Sequence, residues 1–576
     1  MFREQQAESS RASSSSDIPP STGPSSTFSI NFELPIQPEV DENFETLRGN
    51  HARFIENLFP SEAEDEAWLF ATSVTGDMQT PPSSTTNSQS IQDLHTKPTF
   101  NLSSAQHLLH AFRSMLSQLP CILLPADTSV PQLAATQPFV LLAILAAASG
   151  SRTLQGHSLY DEEFRKVLGL KFVTGGERSM ELLQGILIYC CWYPFHLQPR
   201  NKTVLQYMRF AADLVHDLEL DQELPPHALE SKVTDQQLDG IRAYLAYYYA
   251  ASLLGIAWRK HKNFGVPFIT WTATCCDILE RNAKVYGDSV LASLTRLASI
   301  TKDASGTMHD TKNQPAQQAR LILMGLETQV KEAESRIPHS VASSTTIRME
   351  VMFVNIYLNG GNLLRIPRPS KSQIAACISL PPTEIKLRDC VPVLKQYLDF
   401  VSSLHQETVM GFSIVDWNRL ILLIILAIRL SFPLLECPDF DPAWARSQIR
   451  MNEFLDKFCQ TTDLTPATKK VDILSASRVV FAVVRDKYNR EVQRQNAKMG
   501  TPVDSTPSAT MRCPMLDGSM DQYISSWGAT FDTNSRAAMP MAGPNLSAGS
   551  PQVFHDLWAT MTMGWANDDQ DTSEQC

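Results

Sequence analysis

The chain reads as all-α, a large multi-helix domain set between disordered N-terminal and C-terminal segments. Three observations predict this. Apolar residues recur at three- and four-residue spacing through most of residues 101–499, the repeat of a helix with one buried face. No run alternates apolar and polar residues for long enough to build a major sheet. Both ends are rich in Ser, Pro, Thr or Gly, and so lack the apolar surface that would offset the entropy lost on ordering.

A chain of 576 residues exceeds what one typical core needs. We divide it into a mostly disordered region (1–100), a helical core (101–300), a helical continuation of the same domain (301–499) and a flexible tail with an acidic-aromatic end (500–576). Hydrophobic residues at 43% and charged residues at 19% are ordinary for a globular protein. The net charge of -12 argues against a nucleic-acid surface spread over the whole chain, while leaving room for a small basic module. Eleven cysteines include the adjacent pairs Cys190-Cys191 and Cys275-Cys276, with no CxxC and no Cys/His spacing suited to zinc. The first residues, MFREQQAESSRASSSSD, hold no apolar signal core, and the run Leu420 to Ile428 is far shorter than the roughly 20 residues that span a bilayer. We therefore expect reduced thiols, no cofactor and no membrane.

In chain order, residues 1 to about 40 read as disordered, a short helix is expected around Ala52 to Leu58, and residues 76–100 read as linker. Order begins near Ser103, where Leu108, Leu109, Phe112, Met115 and Leu116 share a face ahead of Pro120. QPFVLLAILAAASG is apolar nearly all round, a helix buried on most sides that Gly150 should end. From Ser179 to Leu220 two amphipathic helices flank a turn marked by Pro194, Pro199 and Asn201, the first capped by Ser179 with Glu181 in its opening turn. DGIRAYLAYYYAASLLGIAWRK forms a further helix with a dense tyrosine cluster. Helices are then expected over Gln317–Ser335, Thr345–Leu364, Leu387–Leu404, Asp416–Leu430, Pro442–Cys459 and Ile473–Lys498.

Three of these blocks carry a family resemblance. The first runs from the Leu-Pro phrase to the buried Phe139, Ala143, Ala146 and Ala147. The second joins Leu182–Gly185, Trp192 and Tyr193 to the acidic-leucine close at Asp217–Leu220. The third holds Arg242, Ala243, Tyr244, Leu245, Tyr248 and Tyr249, then Cys275, Cys276, Leu279 and Glu280. Together, over roughly residues 103–290, they resemble the regulatory (middle homology) domain of fungal binuclear zinc cluster transcription factors. The resemblance implies an all-helical regulatory domain, a nuclear protein, and control of a metabolic pathway, often a secondary-metabolite cluster. The family reads DNA through six clustered cysteines near the N-terminus, whereas the first cysteine here is Cys121. The zinc cluster is absent from these residues, so DNA contact is expected only indirectly or through a cluster missing from the N-terminus. The implied partners are another transcription factor or a coactivator, and a homodimer is a further candidate.

No sequence pattern marks an enzyme: G-x-S-x-G, H-E-x-x-H, GK[ST] and kinase signatures are all lacking. We expect no catalytic residues and no metal ligands, and read His107 and His110 as a polar helix edge. Asp213, His216 and Asp217 read as a solvated face, and the paired cysteines as small core residues. The aromatic residues Trp192, Tyr193, Tyr244 and Tyr248 are either core or the lining of an effector pocket. Phe554, Leu557, Trp558 and Trp565 beside acidic residues form either an activation segment for a coactivator or a piece docked on the helical domain. A transcriptional regulator is thus the leading expectation. The alternative is a helical small-molecule-binding protein or an enzyme with dispersed residues.

Overall fold

In the computed structural model, residues 27–32, 99–152, 157–194, 203–223, 233–257, 266–309, 315–364, 380–434, 436–460 and 473–499 are described. Expectations for the disordered ends, the helix at Ala52 to Leu58 and the segment at Phe554 to Trp565 lie outside them. The described chain is helical apart from one small antiparallel pair, β1 (Thr27–Ser29) with β2 (Thr99–Asn101). That pair corrects the reading of residues 1 to 40 as wholly disordered and of 76–100 as linker to its end. Phe28 packs against Phe100, whose ring in turn stacks on Tyr160 at 5.3 Å, so a two-stranded ribbon too small to stand alone rests on the helical core.

The N-terminal layer comprises α1 (Leu102–Met115), α2 (Val130–Thr136), α3 (Pro138–Arg152), α4 (His157–Leu168) and α5 (Met180–Cys191). Asn101 accepts a hydrogen bond from Ser104 N at 2.9 Å and caps α1. Helix α3, buried continuously from Phe139 to Gly150, packs on α4 and α5, and it runs two residues beyond the expected stop. Its approach to α5 is close. A Cβ on Gly185 would lie 2.5 Å from the Phe139 ring, so only glycine fits there. Glu181, placed by the Ser179 cap in the first turn of α5, accepts from Phe139 N at 2.7 Å and satisfies an orphan donor of α3.

Between α4 and α5 the chain forms a π-helical turn, Gly169–Thr174, closed by Gly176 at φ +62. Neither α4 nor this turn was expected. The same is true of α9, which follows α6 (Thr203–Asp217), α7 (Asp235–Ala257) and α8 (Thr270–Arg281) and spans Tyr286–His309. Its many Ser and Thr residues disguise a buried helix. The hydroxyls of Ser293, Thr295, Ser299 and Thr301 each donate to a carbonyl one turn back, so they are buried without an unmet donor.

The remaining helices are α10 (Ala316–Arg336), α11 (His339–Ala342), α12 (Thr345–Gly360), α13 (Glu384–Ser403), α14 (Gln406–Met410), α15 (Ile414–Leu430), α16 (Pro442–Ile449), α17 (Met451–Cys459) and α18 (Ile473–Met499). The expected single helix from Pro442 to Cys459 is two helices, because Arg450 adopts the left-handed conformation (φ 52). The helix expected to reach Leu364 ends at Gly360 and continues as a 3-10 turn, Gly361–Leu363. One hydrophobic cluster runs through the whole described chain from Ile30 to Tyr488. At its centre lies α15, in which every residue except Arg429 is buried; Ser413 and Asp416 form its capping box.

Candidate functional site

A helix buried on all sides has no polar face to spare, yet α15 carries Asp416 and Arg419 one turn apart, both fully buried. The fold supplies their partners from distant helices. Arg419 Nη2 lies 2.9 Å from Glu350 Oε2 on α12 and also contacts the Tyr249 hydroxyl on α7, and Tyr249 donates to the same Glu350 oxygen at 2.9 Å. Asp416 accepts from Ser413 N at 2.9 Å and Ser413 Oγ at 2.7 Å, while its other oxygen faces Arg419 Nη1 at 3.6 Å. Burial raises the Glu350 and Asp416 carboxyls, and the Arg419 charge opposes that rise. Burial likewise disfavours charge on Arg419, but Glu350, Tyr249 and Asp416 outweigh it and hold the guanidinium protonated. Tyr397 of α13 lies in the same field, its hydroxyl raised by burial first. Three helices, α7, α12 and α15, are thus tied by one buried charge cluster.

Two further clusters repeat the device at the edges of the core. In the N-terminal layer Asp161 accepts from the Tyr189 hydroxyl and pairs with Arg165 at 2.7 Å, while the Phe164 ring stacks on Tyr189 at 4.2 Å. His157 lies within the same layer with Nδ1 3.0 Å from Ser149 Oγ and 3.1 Å from Ala146 O, and burial lowers its pKa from 6.5 to about 4. On the other side, buried Arg242 of α7 pairs with Asp288 at the start of α9 at 2.6 Å, and with Asp239.

The four aromatic residues singled out in the sequence fall into two places. Trp192, just past α5, meets Phe112 edge-on at 5.2 Å and donates to Gly411 O at 3.1 Å, and Tyr193 meets Tyr189 at 5.8 Å. Tyr244 and Tyr248 lie on α7. The Tyr244 hydroxyl is 2.8 Å from Thr272 Oγ1, and Tyr248 packs edge-on against Phe268 with the Lys302 ammonium over its ring. All four are at most 2% exposed, packed within the core. The tail residues Phe554, Leu557, Trp558 and Trp565 lie outside the described residues.

His107 and His110 are exposed on α1, and His216 and Asp217 lie at the exposed end of α6, where Arg178 pairs with Asp217 at 2.6 Å. Cys190, Cys191, Cys275 and Cys276 are buried, and burial pushes the Cys276 thiol up to about 12. Among the described residues, no group of three or more His, Cys, Asp or Glu side chains is placed to hold a metal ion, and no helix is long and apolar enough to cross a membrane. The sequence reading overlooked Glu350, Asp416 and Arg419. Their signal was present as isolated charges inside otherwise apolar helices, which demand buried partners.

The chain is distantly homologous to fungal transcription factors. It is 23% identical over 368 residues to the transcription factor himD of Aspergillus japonicus, covering 62% of this chain and 60% of that protein. It is 25% identical over 325 residues to the transcription factor opdL of Penicillium oxalicum, covering 51% of this chain and 54% of that protein. The chain thus spans little more than half the length of these curated relatives. No protein-family model matches the chain, and no solved structure matches it.

Proposed function

We propose that this chain is a nuclear transcriptional regulator of a fungal metabolic pathway, with a secondary-metabolite biosynthetic cluster as its leading class of target. The observation that carries the reading is the similarity to two fungal transcription factors over half the chain or more. The architecture fits a scaffold that transmits a state. Its core is one continuous packing unit held in register by buried charges, which admit few alternative arrangements. In this reading the helical domain is regulatory, not enzymatic, and governs access to the acidic-aromatic segment around Phe554, Leu557, Trp558 and Trp565. A coactivator or a second transcription factor is the partner. DNA is reached through that partner or through a zinc cluster outside this sequence.

Deletion of the gene followed by transcript profiling tests the proposal. Loss of a co-regulated set of biosynthetic transcripts is expected, and an unchanged transcriptome would overturn it. Mapping the 5′ end of the transcript separates the two routes to DNA, since an in-frame upstream exon with six clustered cysteines would give direct binding.

A further inference from the structure

The centre of the core holds more hydrogen-bonding capacity than its direct contacts use. Asp416 on α15 accepts from the Ser413 N–H and hydroxyl through Oδ2, while Oδ1 has no hydrogen-bond partner among the described residues. Arg419, one turn on, gives Nη2 to Glu350 and Tyr249, whereas Nη1 and Nε donate to none of the described residues. The hydroxyl of Tyr397 on α13 is in the same condition, and the charges of Arg419 and Asp416 act on it. All three side chains are 0% exposed, so bulk solvent does not reach them. An unmet buried donor or acceptor carries the full desolvation penalty of its group, and a charged one carries more. Several at one place would cancel much of the margin by which a domain is stable. They call for a partner inside the core.

The geometry and chemistry of these atoms say what that partner is. Arg419 Nη1 and Asp416 Oδ1 lie 3.6 Å apart, too far for a direct hydrogen bond and near enough for one small molecule to touch both. Arg419 supplies hydrogens and needs an acceptor. Asp416 supplies lone pairs and needs a donor, and Tyr397 can act as either. An anion here would face the carboxylates of Asp416 and Glu350, and a cation would face the guanidinium of Arg419. A neutral molecule that donates and accepts at once meets neither obstacle. Trp417, Leu420 and Leu423 on the same helix are likewise 0% exposed, so the packing admits only the smallest molecule of that kind, which is water.

We propose that Asp416 Oδ1, Arg419 Nη1 and the Tyr397 hydroxyl form an internal binding site for a water molecule. The water accepts from Arg419, donates to Asp416 and takes Tyr397 as its third partner. Three partners is about the usual number for a buried water. The site adds α13 to the helices that the charges hold directly, so the Tyr397 hydroxyl helps to fix how α13 and α15 pack. It also explains how an arginine with only one nitrogen in direct contact is tolerated at the centre of an apolar helix.

A double-mutant cycle on the full chain provides the test. Tyr397→Phe keeps the ring and removes the hydroxyl, and Arg419→Lys keeps the charge while withdrawing Nη1. Each change alone should lower the urea midpoint. The double variant should lose clearly less than the sum of the two, because either change already releases the shared water. Additive losses would overturn the proposal. Where Arg419→Lys does not fold, Asp416→Asn takes its place in the same cycle, since it can turn the free acceptor into a donor. Magnetic relaxation dispersion of the water oxygen, which counts long-lived internal waters, separates a water bridge from a direct contact. The unaltered protein should hold a long-lived water that the double variant lacks. Equal counts would overturn the proposal even if the cycle is non-additive, and would assign the coupling to direct contact between the side chains.

Discussion

Replacing Arg419 with Met preserves much of the buried stem and removes the guanidinium that Glu350 and Asp416 both face. Breaking a buried pair from one side costs about 3–5 kcal/mol, because the remaining charge has neither water nor partner. Asp416 keeps two donors from Ser413, so the deficit falls mainly on Glu350, which retains the Tyr249 hydroxyl. Glu350 can escape by taking up a proton, and that escape bounds the loss. Holding an ordinary Glu protonated at about pH 7.5 costs about 4 kcal/mol, and at about pH 5.5 only about 2 kcal/mol. The penalty should therefore shrink by roughly half or more on acidification over that range. The double variant Arg419→Met/Glu350→Gln should recover part of the loss at the higher pH and show little pH dependence. Urea unfolding followed by far-UV circular dichroism at both pH values measures this, as shifts in midpoint at constant slope. A single variant that loses less than about 1 kcal/mol at both pH values would refute the reasoning, as would a double variant worse than the single one.

Three other outcomes follow from the core. His157 is held neutral by burial, with its pKa lowered from 6.5 to about 4, so the folded state binds fewer protons than the unfolded chain between those values. Its contribution is complete above pH 6.5 and is lost as pH falls to about 4, worth about 3 kcal/mol at about 1.4 kcal/mol per pH unit. Asp161, which favours the charged ring, and Arg165, which opposes it, are the charged groups acting on it, and His157→Gln should flatten the acid limb of the stability–pH curve relative to the unaltered protein. Gly185→Ala, a change that ordinarily stabilises a helix interior by about 1 kcal/mol, should instead destabilise by about 1–3 kcal/mol, since its Cβ meets the Phe139 ring at 2.5 Å. Phe139→Leu should relieve part of that loss, and a lower melting temperature for Gly185→Ala that the second change leaves untouched would count against the contact. Trp192→Phe keeps the ring packed on Phe112 but leaves Gly411 O without its donor, at a cost of about 1–3 kcal/mol measured by the same denaturation.

The sequence by itself determined the all-helical class and most helix positions, because apolar spacing and caps are local. Ser179 caps α5 as its type and place predict, and the apolar run of Phe139 to Gly150 is the buried helix that its composition suits. The reading failed where local signals were weak or misleading. Helix α9 looks polar until its hydroxyls are seen donating to their own backbone, and the break at Arg450 is a left-handed residue that no glycine announces. Isolated charges such as Glu350 and Arg419 declared that each needed a partner, yet nothing in the residue order says that Arg419 finds both Glu350 and Tyr249. Only the tertiary structure decided that, since pairing across a core is set by how helices cross and not by the sequence near either member. It also decided which apolar residues stay outside. Leu321 and Met324 are exposed because α10 meets its neighbours on the opposite face, through Ala319, Leu326 and Val330.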